Sequence, residues 1–292
     1  MNDAAPTLVA GLAELAPAYR GILCDVWGVV HDGAKAHAPA TEALMSFRDG
    51  GGTVVLITNA PRPKADVVRQ LDGLGVPRAA YDDVITSGDA ARHLLGARPG
   101  VKLYHVGPER DLPIYFGLPV KFADEADCEL VSCTGLFDDE NETPQDYDES
   151  FADWQARGVP MLCVNPDIVV ERGDRLVWCA GALAERYRER GGETIIVGKP
   201  YAPLYDTALS RLQEIAGSAV PKSAVLAIGD GIDTDIRGAF GQGIDVLFVT
   251  GGIHAAVFGP RESPDLAKVH AFLATAGLGA RALTTRLVWS AS

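Results

Sequence analysis

Short apolar runs rich in Val, Ile and Leu alternate along this chain with longer stretches of helical period, and turn-forming residues separate the two kinds of segment. The first run, GILCDV, closes around an acid at Asp25. A helix is predicted over Pro39 to Asp49, because proline suits a first helical turn and Gly50, Gly51 and Gly52 end it. The next strand is TVVLIT, Thr53 to Thr58, stopped by the prolines of NAPRP. Lys64 to Leu74 reads as a second helix closed by Gly75, and DDVITSG, Asp82 to Gly88, as a third strand with a turn. This alternation predicts an α/β protein with a Rossmann-like three-layer core around a parallel sheet.

The middle of the chain carries its own set of elements. VKLYHVG, ELVSC and MLCVN read as strands, and Asp146 to Arg157 and Ala180 to Arg190 as helices. ETIIVGKP and AVLAIGDG then look like a return to the first sheet. The expected organisation is a core of residues 1–88 and 192–292, split by an α/β cap domain over 89–191.

Charge narrows the partners. With 26 Lys+Arg against 39 Asp+Glu the formal net charge is −13, and no basic cluster offers a footing for a nucleic-acid backbone. Twelve acidic residues and no Lys or Arg fall between Asp124 and Asp153, read as a solvated face or as a device against polyanionic substrates. Cys24, Cys128, Cys133, Cys163 and Cys179 lack paired CxxC spacing, so buried reduced thiols are expected rather than a zinc ribbon or disulfides. The N-terminus carries Asp3 and Glu14 and no basic start, and no apolar run reaches membrane-spanning length, so a cytoplasmic protein is expected.

Candidate chemistry gathers at strand ends, where ligands bind in open α/β sheets. Asp25 ends the first strand, with Gly28 giving the backbone room to turn. GDGIDTD, Gly229 to Asp235, follows another apolar strand and crowds Asp230, Asp233 and Asp235 together. A hard divalent cation such as Mg²⁺ would stabilise that cluster; a solvated turn would also accommodate it. Lys199 in GKP ends ETIIV and can act as a point charge toward phosphate. Thr58 and Asn59 close TVVLIT with a hydroxyl and backbone N–H groups suited to an oxyanion.

An Asp, a Thr, a Lys and an acidic cluster, each at the end of a different apolar strand and in that chain order, resemble the four motifs of the haloacid dehalogenase superfamily. Asp25, Thr58, Lys199 and Asp230 with Asp235 match them, and the position of the insert and the NPD at Asn165 to Asp167 resemble the type IIA cap branch. The resemblance implies an Mg²⁺-dependent phosphatase in which Asp25 attacks phosphorus and forms an aspartyl-phosphate. It implies that Asp25, the Trp27 backbone carbonyl and Asp230 hold the metal, that Asp235 orients the site, and that Thr58, Asn59 and Lys199 serve the phosphate. The partner expected is a small phosphorylated metabolite, with a homodimer left open and neither nucleic acid nor membrane involved.

The chain departs from the motif at Trp27, where most phosphatases of the superfamily place a second Asp as proton donor and acceptor. Indole does neither job. His31 or Asp32 could supply the proton; alternatively the chemistry is dehalogenase-like, since dehalogenases carry an aromatic residue there, or the protein binds a metabolite with little turnover. His254 is read as a substrate contact or a cap, and Asn165 and Asp167 as lining the cap or building a turn.

Overall fold

A computed structural model describes residues 5–172 and 175–290. Met1, Asp3 and Ser292, on which the leader-peptide argument and the outer core bounds rest, lie outside the described residues. Thirteen strands are present among the described residues: β1 (Gly21–Asp25), β2 (Thr53–Thr58), β3 (Asp83–Thr86), β4 (Lys102–Val106), β5 (Lys121–Phe122), β6 (Leu130–Cys133), β7 (Met161–Cys163), β8 (Val169–Arg172), β9 (Arg175–Trp178), β10 (Thr194–Ile196), β11 (Val225–Gly229), β12 (Asp245–Val249) and β13 (Ala282–Thr284). Helices separate most of them, as the apolar periodicity predicts. The chain divides into two compact units, residues 1–58, 68–85 and 205–292 in the first and 59–67 and 86–204 in the second.

The first unit is built on a six-stranded sheet in the order β13-β12-β11-β1-β2-β3. β1, β2 and β11 are buried at every position. A strand covered on both faces cannot alternate polar with apolar side chains, which is why these three read as continuous apolar runs. Parallel pairing sets Asp25 level with Ile57 of β2 and Cys24 level with Ile228 of β11. The chain moves outward through β2 and β3 on one side of β1 and through β12 and β13 on the other, so the order reverses between β1 and β11. A reversal of this kind opens a crevice at the carboxyl ends of the two central strands. One face is sealed by Leu23, Val55, Ile57, Tyr205, Leu212, Phe248, Phe258 and their neighbours.

The second unit has a five-stranded parallel sheet, β10-β7-β6-β4-β5, and the antiparallel pair β8 and β9. Phe151, Trp154 and Tyr187 pack in a buried aromatic cluster on one part of it, and Leu103, Leu130 and Leu162 lie in another. ETIIV corrects one expectation: it does not rejoin the first sheet but pairs in parallel with β7, Thr194 opposite Met161. An apolar run encodes burial, not the identity of the neighbour that buries it. The acidic stretch is only partly solvated, since Asp139 receives Arg110 and Arg172, and Asp148 receives Arg186 and Arg190. All five cysteines are buried, and no described helix is long and apolar enough to cross a membrane.

Candidate active site

In the first unit three carboxylates come together. Asp25 leaves the end of β1, Asp230 follows β11, and Asp235 lies one turn further on; one oxygen from each falls within 4.8 Å of the others. All three are buried, at 7%, 6% and 3% exposure, so their mutual repulsion is not relieved by bulk water.

Backbone donors aim these groups. Asp25 Oδ1 accepts the Val26 N–H at 2.7 Å, Asp230 Oδ2 accepts the Ile253 N–H at 2.8 Å, and Asp235 Oδ2 accepts the Gly231 N–H at 3.1 Å. Glycines let the backbone close in. A Cβ on Gly252 would lie 2.0 Å from Asp230 Oδ2, and one on Gly28, whose φ is +81°, 2.2 Å from the same oxygen. Three oxygen-only ligands in a buried cluster fit a hard divalent cation, whereas thiols and imidazoles, which softer metals prefer, are absent from the set.

Asp233, grouped with Asp230 and Asp235 by sequence, points elsewhere: its side chain is 74% exposed and pairs with Arg237. The separation comes from the single π-turn Ile232–Ile236, in which both Asp235 and Ile236 donate to the Gly231 carbonyl. Such wide turns often occur at functional sites. Thr58 is buried one residue beyond the β2 position level with Asp25.

Around Trp27 the loop folds back on itself. The indole meets the His31 ring edge-on at 5.0 Å between centroids, and its Cζ2 atom lies 2.5 Å from where a Cβ on Gly33 would sit. His31 is buried, and its Nδ1 accepts the Gly33 N–H at 3.0 Å, which assigns any proton of the neutral ring to Nε2. Asp32 accepts from the Ala34 and Lys35 N–H groups, both at 2.9 Å. Burial pushes its pKa up, but these backbone donors, with His37 and Lys35, outweigh it and hold the carboxyl below its ordinary range. Its two backbone contacts are those of a turn acid. His254 caps the π-turn: its Nε2 accepts the Ile232 N–H at 3.2 Å, and burial lowers its pKa and keeps it neutral.

The second unit brings together Asn59, Ser87, Asp167 and Lys199. Lys199 is 2% exposed, and its backbone N–H donates to Asn59 Oδ1 at 2.7 Å. Asn59 Nδ2 donates to Asp167 Oδ1 at 2.8 Å, and Asn165 Oδ1 accepts the Asp167 N–H at 3.2 Å. Ser87 and Gly252 were not singled out from sequence. Gly252 had a visible signal, a Gly-Gly pair directly after an apolar strand; Ser87 had none beyond its place in a strand-ending turn.

The chain is similar to known proteins along most of its length. A family model described as haloacid dehalogenase-like hydrolase matches residues 22–115, and one described as HAD-hydrolase-like matches residues 196–271. The crystal structure of a haloacid dehalogenase-like family hydrolase from Brucella suis 1330 is 47% identical, covers 96% of this chain and 100% of its own, and superposes with a TM-score of 0.87. D-glycerol 3-phosphate phosphatase of Mycobacterium tuberculosis is 29% identical over 84% of this chain and 67% of its own. Ribonucleotide monophosphatase NagD of Escherichia coli K12 is 26% identical over 80% of this chain and 88% of its own.

Proposed function

The chain belongs to the haloacid dehalogenase-like hydrolases, in their type IIA branch, and from this premise we propose that it is an Mg²⁺-dependent phosphatase of small phosphate monoesters that works through an aspartyl-phosphate. The observation that carries the proposal is the convergence of Asp25, Asp230 and Asp235 at the carboxyl ends of the two central strands. A dehalogenase-like reaction does without a divalent metal, whereas three buried carboxylates around one point repel one another unless a cation sits between them. The activities for which two relatives are named, on glycerol 3-phosphate and on ribonucleotide monophosphates, support a small phosphate monoester as substrate, and we take sugar phosphates, nucleotides and aryl phosphates as the candidate classes.

In this scheme Asp25 is the nucleophile. Its carboxylate oxygen forms a bond to phosphorus as the ester P–O bond breaks, and water later cleaves the acyl phosphate and restores the carboxylate. Asp25 and Asp230, with the Trp27 carbonyl, hold the metal, and Asp235 orients them. Bound there, Mg²⁺ offsets the repulsion between an anionic nucleophile and an anionic substrate. Thr58 and the Asn59 N–H receive phosphate oxygens, and Lys199 contributes a buried positive charge. The leaving oxygen must take up a proton without help from Trp27, so esters with acidic leaving groups react best. The substrate-selecting cap is assigned to the insert that sequence bounds at 89–191, extended through ETIIV because that strand pairs with β7, and the core to the chain on either side of it. Neither the cytoplasm nor a homodimer is needed for this chemistry, and both remain proposals for cell fractionation and sedimentation.

The test is phosphate release from p-nitrophenyl phosphate, glycerol phosphate and nucleoside monophosphates with and without Mg²⁺. Asp25→Asn is expected to abolish release while leaving the fold intact. An inactive wild-type protein across that panel, with Mg²⁺, Mn²⁺ or Co²⁺ supplied, would sink the proposal.

A further inference from the structure

One carboxamide in the second unit holds the backbone of Lys199 at two points. Asn59 Oδ1 accepts the Lys199 N–H at 2.7 Å, and Asn59 Nδ2 reaches the Lys199 carbonyl at 3.4 Å. The amide cannot turn over without loss. Its Oδ1 faces two donors, the Lys199 N–H and the Ser87 hydroxyl at 3.3 Å, while its Nδ2 donates to Asp167 Oδ1 at 2.8 Å. Gly198 makes the approach possible: at φ +108° a Cβ there would lie 2.2 Å from Ser87 Oγ and 2.6 Å from Asn59 Oδ1. Three residues far apart in sequence, Asn59, Ser87 and Asp167, thus converge on the backbone of Lys199, whose side chain is itself buried.

We propose that the Asn59 side chain, oriented by Ser87 and Asp167, is a positioning group for Lys199, fixing the backbone from which the lysine side chain extends. The role is separate from the backbone N–H of Asn59, which any residue at that position supplies. Ser87 and Asp167 act one step further out: they choose which end of the carboxamide meets the Lys199 N–H. The inference rests on the proposed function, in which the Lys199 charge serves the phosphoryl group.

A double-mutant cycle on the full-length, Mg²⁺-loaded protein separates positioning from scaffolding, with kcat/KM for p-nitrophenyl phosphate as the readout. Asn59→Leu alone is expected to lower kcat/KM on the order of 10²-fold, the size of effect that misplacement of a reacting group produces. In a Lys199→Met background the same change is expected to cost less than about threefold, because groups that act through one another are not additive. Asp167→Asn and Ser87→Ala, which keep the carboxamide and test only its orientation, are expected to show smaller losses that likewise vanish in Lys199→Met; they carry the test if Asn59→Leu does not fold. A Lys199→Met protein that is crippled, with Asn59→Leu fully additive on top of it, overturns the positioning role alone. A Lys199→Met protein as active as wild type overturns the parent reading and this inference with it.

Discussion

At Trp27 the indole is wedged between the edge of His31 and the bare backbone of Gly33, so its place in the loop is a packing solution that offers no proton for catalysis. General acid catalysis is worth roughly 10² to 10⁴ in rate, and its loss falls on alkyl esters rather than aryl ones. Trp27→Asp is therefore expected to raise kcat/KM for glycerol phosphate relative to p-nitrophenyl phosphate by about 10²-fold. If that ratio stays put while the variant remains folded, another group, with His31 the nearest by contact, already delivers the proton. Gly252 is the second residue on which the site turns. Alanine there would thrust a methyl group to 2.0 Å from Asp230 Oδ2, and the carboxylate would have to leave its Ile253 N–H. Disturbing the groups that orient metal ligands typically costs about 10 to 100-fold in metal affinity, and Gly252→Ala should raise the Mg²⁺ concentration for half-maximal phosphate release by that factor.

Among elements, the π-turn Ile232–Ile236 decides which acids of GDGIDTD join the Asp25 cluster, and His254 caps it. Because burial keeps the imidazole neutral, Nε2 remains an acceptor for the Ile232 N–H at neutral pH. Replacing it with Phe conserves the ring contact to Phe272, at 5.0 Å, but strands a partly buried donor. The expected cost is about 1 to 3 kcal/mol, seen as a lower melting temperature, together with weaker Mg²⁺ activation as Asp235 loses its seat; a variant with unchanged melting and Mg²⁺ response would deny the cap any role. This element also marks where sequence stopped being informative. β1 and β2 are bounded by sequence to within a residue, because burial on both faces writes an unbroken apolar run, and Asp25 and Asp230 follow from where the runs of β1 and β11 end. Asp233 and Asp235 are equivalent by residue type and spacing alone. They were separated by the i→i−5 hydrogen bonds of one turn, which turn Asp235 inward and leave Asp233 to Arg237. ETIIV carries the same apolar signal as the strands of the first sheet, yet it belongs beside β7, since pairing depends on a partner more than thirty residues away. Ser87 carries no sequence signal, and Asp167, singled out as part of NPD, takes its place on Asn59 Nδ2 through a contact with no local pattern.

At the scale of the whole molecule, two compact units with their own cores hold different titrating groups. The three carboxylates all lie in the first, so Mg²⁺ at about 100 times its dissociation constant should stabilise that unit by about 2.7 kcal/mol through mass action. Asp111 lies in the second, buried, 3.8 Å from Arg62. Burial pushes its pKa up to about 6, against the opposing pull of Arg62 and Arg110. Because that lies above the ordinary value of 3.8, the folded unit holds a proton that the unfolded chain releases between the two. The stabilisation is complete below the ordinary value and is lost as pH rises through about 6; the gap between the two values corresponds to about 3 kcal/mol. Asp111→Asn, neutral at every pH, removes this contribution and leaves the rest of the pH profile in place. Segment-resolved hydrogen exchange reads both effects at once: Mg²⁺ should slow exchange in β1 and β11, whereas raising the pH from about 4 to 6.5 should speed it in β4 and β6, after correction for intrinsic rates, by more in wild type than in Asp111→Asn. Equal responses of all four strands to either ligand would mean that the two units open as one, with metal and proton acting on a single folding unit.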